Sequence, residues 1–402
     1  MTLLSENDAP AQQQQDLQWL TEFRPRRFLS NGHLQTIVGN YLPRQDALPA
    51  PETSTVEVEA AGVGGEGLER RAASYVLCEC HWQPADVRAQ RLTVLILHGL
   101  EGSSRSQYVV GNANKFWRAG WNIIRMNMRN CGSVAPGGME PDETAEPGEA
   151  AGPANGMAPA GISPAGISPG GAERLAASLY HSGMSGDVLA VCRHFIRKYG
   201  LGSIALVGYS MGGNLVLKLA GEVTPETFPE LRAVVGVSPA VDLAASADAL
   251  HEGPNRLYEW KFLSNMKRRF RRKATVFPAL YSATRLDEVH TLRQFDDRIT
   301  AYYEGFTGAD DYYYRAAAAR VVDRIAVPTL VLHAQDDPFI RLQPETAAKM
   351  RANPHVTLVE TQHGGHCAFL ADPVADPIGA MQYDGYWAEA TLLAFITQQA
   401  GL

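Results

Sequence analysis

Residues 204–214 read Ile204-Ala205-Leu206-Val207-Gly208-Tyr209-Ser210-Met211-Gly212-Gly213-Asn214. A short apolar run, Ile204 to Val207, leads into a Gly-x-Ser-x-Gly core, and a helical run follows from Asn214 to Ala220. The order is strand, sharp turn, helix. A serine at the tip of so tight a turn has strained backbone angles and close neighbours two residues to either side. Gly208 and Gly212 leave room for strand and helix to approach. The turn lifts the hydroxyl clear of the sheet, and the helix aims its N-terminal dipole and N–H groups at it. Ser210 is therefore the candidate nucleophile. A chance match is the alternative, and the flanking strand and helix argue against it.

A serine hydroxyl is a poor nucleophile at neutral pH. It needs a histidine to take its proton and a carboxylate to orient that histidine. After a strand-turn-helix nucleophile the partners follow in the order acid, then histidine, each on a loop after a strand. The run Thr329 to His333 precedes Ala334-Gln335-Asp336-Asp337-Pro338-Phe339. Asp337 is the favoured acid, because Pro338 fixes the chain directly after it. Asp336 is the alternative, with a loop or helix-capping role otherwise. The run Val356 to Glu360 leads into Thr361-Gln362-His363-Gly364-Gly365-His366-Cys367. Glycines before a histidine let a loop fold back over the nucleophile, so His366 is the favoured base. His363 is the alternative base, and otherwise a loop histidine. Cys367 reads as a packing residue.

An oxyanion hole needs backbone N–H donors aimed at developing charge. Met211, directly after the nucleophile, is one candidate. The other lies after the apolar run Leu92 to Leu97, in His98-Gly99-Leu100-Glu101-Gly102-Ser103, where Leu100 is favoured. His98 reads as a brace for that loop.

Outward from these loops the chain alternates strand and helix patterns. Strand-like runs are Leu92–Leu97, Trp121–Met126, Leu231–Val237, Val327–His333 and Val356–Glu360. Helical runs are Asn112–Ala119, 185–199, Glu345–Ala352 and Trp387–Gln398. Continuous apolar strands between helices predict an α/β fold with a doubly wound, mostly parallel sheet. Residues about 241–320 break the alternation with aromatics, arginines and helical patches, which predicts a helical cap inserted between two strands. Residues 17–60 lack strong periodicity and are expected to wrap the main domain, which spans 17–402. Residues 1–16 are polar and glutamine-rich, read as a disordered tail and not a signal peptide. The stretch 136–171 is rich in Gly, Pro, Ala and Glu. It contains a tandem repeat, Ala160-Gly161-Ile162-Ser163-Pro164 then Ala165-Gly166-Ile167-Ser168-Pro169. It reads as a mobile low-complexity surface insertion, with substrate gating the lesser alternative.

The chain has 402 residues and a net charge of -7, a balance that favours neither nucleic acid nor an anionic membrane surface as a general partner. Five cysteines without a regular spacing suit reduced thiols in a cytoplasmic protein. Cys78-Glu79-Cys80-His81 reads as strand; half a metal site is the lesser reading, since no partner pair stands elsewhere. No apolar run reaches the ~18 residues of a membrane span. The one dense basic run, Lys267-Arg268-Arg269-Phe270-Arg271-Arg272-Lys273, reads as a solvated helix face. Its alternatives are a weak peripheral contact with anionic lipid headgroups or an anionic substrate.

Together these residues resemble an α/β-hydrolase, and more narrowly its YheT-like branch. His33-Leu34-Gln35-Thr36-Ile37 resembles that branch's N-terminal signature, and His98-Gly99-Leu100-Glu101-Gly102-Ser103 its oxyanion segment. Met128-Arg129-Asn130-Cys131-Gly132-Ser133 resembles an Arg-Gly-Cys loop, with Asn130 where glycine is usual. Tyr180-His181-Ser182-Gly183 resembles a motif that normally follows that loop closely, so the stretch 136–171 splits the two. Phe295-Asp296-Asp297 with Tyr312-Tyr313 resembles the branch's cap. The resemblance implies an acyl-ester hydrolase, sometimes an acyltransferase, with a small-molecule substrate. The leading expectation is a serine esterase of short- to medium-chain acyl esters. Acyl transfer to an alcohol and phospholipase- or lipase-type cleavage by the same triad are the alternatives, with a non-catalytic scaffold the outsider. That mechanism needs no metal or organic cofactor.

Overall fold

The computed structural model describes residues 19–44, 47–60, 72–132, 171–373 and 384–401. The expected tail 1–16, and the expected insertion 136–171 apart from its last residue, lie outside them.

Eight strands form one sheet: β1 (Glu52–Glu59), β2 (Ser74–His81), β3 (Thr93–Leu97), β4 (Asn122–Met126), β5 (Ile204–Tyr209), β6 (Leu231–Val237), β7 (Thr329–Ala334) and β8 (Val356–Thr361). Their order is β1-β2-β4-β3-β5-β6-β7-β8. The pairs β1/β2 and β2/β4 are antiparallel, and every pair from β4/β3 to β7/β8 is parallel. This is the mostly parallel, doubly wound sheet that the apolar runs predict.

Alternate side chains of the central strands feed two separate cores. Leu95 and Leu97 pack with Phe195 and Val216, whereas Val94 and Ile96 pack with Phe116, Trp387 and Phe395. Helices Ser185–Tyr199 and Met211–Glu222 supply the first face; Gln107–Arg118 and Trp387–Gln399 supply the second. Each fully buried leucine or isoleucine contributes about 1.5–3 kcal/mol relative to exposure, so a strand apolar on both faces is held from two sides.

β3 has β4 on one side and β5 on the other, so the chain reverses its direction of winding beside it. In open parallel sheets that switch point leaves a crevice at the carboxyl ends of the strands. The loops after β3, β5, β7 and β8 all end there.

Between β6 and β7 the described residues hold helices and no strand. The longer ones are Leu243–Leu250, Arg256–Val276 and Ala309–Ala316, with a π-helical stretch at Asp296–Ala301. They carry their own apolar clusters, one around Tyr312 and Phe339, another around Phe270 and Val289.

Two expectations differ. Residues 17–60 contain a helix, Gly32–Tyr41, and the edge strand β1. The helix buries Gly32, Gln35 and Gly39 and turns Leu34, Ile37 and Tyr41 outward, so its apolar periodicity does not mark its packed face. The basic run is not uniformly solvated either. Lys273 is fully buried, donating to Asn130 Oδ1 at 2.8 Å and Glu173 O at 3.0 Å, and burial pushes its ammonium down to about 7. Arg269 also points inward, to Asn130 O at 2.9 Å.

Candidate active site

The turn between β5 and the helix Met211–Glu222 places Ser210 at φ 53° and ψ −117°, a left-handed conformation rare for a residue with a Cβ. Three backbone hydrogen bonds hold it: Ser210 N donates to Val237 O at 2.9 Å, and Ser210 O accepts from Ala240 N and from Asn214 N, each at 3.1 Å. Gly212 shows why the turn needs glycine. A Cβ there would stand 2.4 Å from His98 O and 2.6 Å from Leu97 O. The turn thus presses against the end of β3, which brings the two expected oxyanion donors together.

The loop after β3 is braced from below. His98 is fully buried; its Nδ1 lies 2.7 Å from Gly99 O, and its Nε2 accepts from Met128 N at 3.1 Å. Those partners assign the proton to Nδ1, and burial pushes the ring down to about 4, so it stays neutral. Gly99 N donates to Tyr108 OH at 2.9 Å. Among the described residues neither Leu100 N nor Met211 N has an acceptor, and both residues line the cavity above Ser210. Two unengaged donors beside a serine hydroxyl are the groups an oxyanion needs.

Asp337 follows β7 and is buried. Its Oδ1 accepts from Phe339 N at 3.1 Å and Ile340 N at 2.9 Å, and its Oδ2 lies 2.8 Å from His366 Nδ1. Burial works to raise this carboxyl. The charge and hydrogen bond of His366, with His333 and the Ile340 N–H, outweigh it and hold Asp337 below the usual range. On His366 burial opposes the charged ring, while Cys367 at Nε2 and Asp337 at Nδ1 raise it above an ordinary histidine.

His366 is positioned largely by the helix Gly32–Tyr41. Thr36 Oγ1 accepts from His366 N at 2.8 Å and donates to Gly32 O at 2.7 Å. Gln35 accepts from Leu370 N at 2.9 Å and donates to Leu370 O at 3.0 Å, clasping the same loop. Gly365, at φ +56°, lets the loop lie against that helix; a Cβ would meet Gly32 O at 2.4 Å. Sequence reasoning set Thr36 and Gln35 in a motif without a role. Their spacing of one residue, far from the loop in the chain, gave no signal of contact.

The two rival residues sit together outside this arrangement. Asp336 Oδ1 accepts from Gly365 N at 2.8 Å, and its Oδ2 lies 3.4 Å from His363 Nδ1. Asp336 therefore staples the histidine loop, beside His363.

One link differs from expectation. The sequence predicts a continuous Ser210–His366–Asp337 chain, but no Ser210–His366 hydrogen bond is formed among the described residues. His366 Nε2 instead faces Cys367 Sγ at 3.5 Å. Cys367 is left-handed, at φ 63°, which folds its thiol back over the ring of its neighbour. Hydrogen bonds at catalytic groups are often open without substrate.

Ser210, Met211, Leu100 and His366 line one cavity of about 1060 Å3, with Asp337 behind the histidine. Its walls include Leu243, Leu250, Phe262, Met266 and Phe339, contributed by the 241–320 segment and the loop after β7. The split motifs meet at its far side. Asn130 takes the left-handed conformation, φ 62°, that glycine would otherwise supply, and donates to Ser178 O at 2.9 Å.

A serine on a strained strand-to-helix turn, an imidazole paired with a buried carboxylate and free amide donors at a sheet's switch point define a hydrolase-like class of site. The chain belongs to the α/β-hydrolase fold family, whose model matches residues 93–373. It is similar to "Putative esterase YheT" of Escherichia coli K12, 28% identical over 94% of this chain and 93% of that protein. It is also similar to a monoacylglycerol lipase of Saccharomyces cerevisiae, 26% identical over 48% of this chain and 44% of that one. Phospholipase ABHD3 of Bos taurus is 24% identical over 72% of this chain and 60% of its own length. The chain thus spans less than two thirds of the lipase and the phospholipase. Among solved structures, 2,6-dihydroxy-pseudo-oxynicotine hydrolase aligns over 92% of this chain and 72% of its own, at 16% identity and a TM-score of 0.48.

Cys78, Cys80 and His81 lie in β2, and both cysteines are buried. Among the described residues no helix is long and apolar enough to cross a membrane.

Proposed function

We propose that the protein is a serine esterase that cleaves short- to medium-chain carboxylic acyl esters through an acyl-enzyme. The relatives support a hydrolase of esterase or lipase type. The finer reading rests on one observation: His366, 2.8 Å from the buried Asp337 carboxylate, opens onto the same cavity as Ser210.

In the first half-reaction Ser210 Oγ attacks the ester carbonyl carbon and His366 Nε2 takes the hydroxyl proton. The ring must first turn from Cys367 Sγ to Ser210 Oγ, keeping Nδ1 on Asp337. The carbonyl oxygen becomes an oxyanion held by Leu100 N–H and Met211 N–H. Collapse breaks the bond to the alcohol oxygen, which leaves with the proton from His366. Water then attacks the acyl-enzyme by the same path in reverse, releasing the acid and restoring Ser210.

The apolar walls suit an acyl chain, and a cavity of about 1060 Å3 is roomy for a small ester. The proposal includes the small-molecule ester as substrate and a cytoplasmic setting. Its test is hydrolysis of p-nitrophenyl esters from acetate to palmitate by wild type and Ser210→Ala. Turnover that peaks at one chain length and vanishes in the variant supports the reading. Turnover that survives in Ser210→Ala overturns it.

A further inference from the structure

Eight large hydrophobic side chains are exposed among the described residues, and five of them stand on two neighbouring helices. Leu34, Ile37 and Tyr41 follow one another at steps of three and four on the helix Gly32–Tyr41, so they share a face. Leu257 and Trp260 stand on the helix Arg256–Val276. All five are between 46% and 69% exposed. Cross-contacts set the helices side by side. The rings of His33 and Tyr258 stack with centroids 5.8 Å apart, and Lys261 Nζ reaches Tyr41 OH at 3.3 Å. Ile37, Tyr41, Leu257 and Trp260 also line the cavity that holds Ser210. The apolar collar is therefore the rim of that cavity.

Charge accompanies it. The helix Arg256–Val276 exposes Arg256, Lys261, Arg268 and Arg271, and its one acid, Glu259, is buried against His251 at 2.8 Å. Leu257, Lys261 and Arg268 follow at steps of four and seven, which keeps them on one side of the helix. On a chain of net charge -7 this is a local positive surface.

We propose that this two-helix collar is a peripheral docking surface for an anionic phospholipid bilayer. Tryptophan and tyrosine favour the bilayer interface, and apolar burial adds to the attraction of exposed cations for anionic headgroups. The collar flanks the cavity, with Ile37, Tyr41, Leu257 and Trp260 in its lining, so a protein seated on it would cover part of the site. A lipid surface instead presents an acyl chain to it. That last step rests on the proposed esterase activity; the docking itself does not.

The test is flotation of the full chain with vesicles of phosphatidylcholine alone or mixed with phosphatidylglycerol, at low and physiological salt. The protein should float with the mixed vesicles, less so as salt rises. Arg268→Glu and Leu34→Ser, both outside the cavity lining, should each weaken flotation about tenfold, with turnover of a soluble ester changed less than about twofold. Ser210→Ala should float like wild type, which separates failure of the docking from failure of the esterase reading. Wild type that stays unbound with mixed vesicles overturns the proposal. So does flotation that neither substitution weakens, or self-association through this face, lost in Leu34→Ser, without vesicle binding.

Discussion

Arg269 Nη2 donates to Glu101 Oε2 at 3.2 Å, tying the helix Arg256–Val276 to the loop that carries Leu100. Tyr180 OH holds the other carboxylate oxygen at 2.7 Å. Glu101 itself sits at φ 58°, a conformation that needs such support. A helix over the cavity and a loop beneath it thus share one ion pair.

Glu101→Gln keeps the shape of this clamp and removes its charge. Loosening it blurs the aim of Leu100 N–H, which under the proposed mechanism serves the transition state more than the ground state. The expected result is a fall in kcat of about tenfold with KM within about twofold. Steady-state kinetics on a soluble ester read the split. An equal rise in KM with kcat unchanged would assign the clamp to substrate binding.

Thr36→Val removes the acceptor for His366 N at nearly constant volume. Leaving a part-buried N–H without its partner costs about 1–3 kcal/mol, so the midpoint of thermal unfolding should fall by several degrees. Turnover should fall more than stability alone explains, because His366, the proposed base, loses a support. Thermal melts beside rates measured well below the melt separate the two.

Much of this architecture is legible in the residues. β3 is a run buried at every position, β6 is apolar and buried apart from the exposed Arg232, and the turn at Ser210 needs its glycines at fixed offsets. Asp337 stands apart from Asp336 because Pro338 follows it, and the structure brings Asp337 to His366 while Asp336 staples the loop. The helix Gly32–Tyr41 is hidden because its packed face is Gly32, Gln35 and Gly39 rather than an apolar stripe. The inward turn of Arg269 and Lys273 is hidden too, since their partners, Glu101 and Asn130, lie more than a hundred residues away. The thiol of Cys367 at the histidine depends on a left-handed φ that no residue type announces.

Gly212→Ala tests the turn. A methyl group 2.4 Å from His98 O has no room, and both sides of the contact are backbone. The expected loss is about 4 kcal/mol or more, enough to leave little soluble protein. Circular dichroism melts of any soluble fraction check it.

Cys367→Ala bears on pH. Cys367 and Asp337 raise His366, so the ring holds its proton to higher pH than an ordinary histidine. A general base works only when neutral, so kcat/KM rises with pH through this value. Removing the thiol lowers it and should move the acid limb of the profile to lower pH. Stability follows the same sign. The raised group stabilises the fold below about 6.5, the unfolded value, and that contribution fades as pH climbs through the folded one. Cys367→Ala should therefore lose some of wild type's extra stability on the acid side.

Ser210 as the nucleophile is the central claim, and covalent capture tests it most directly. Wild type treated with a fluorophosphonate should gain one adduct by intact mass, with peptide mapping placing it on Ser210. Ser210→Ala should stay unlabelled, and Asp337→Asn should label far more slowly. An adduct on another residue, Cys367 included, or equal labelling of Ser210→Ala, would contradict the account.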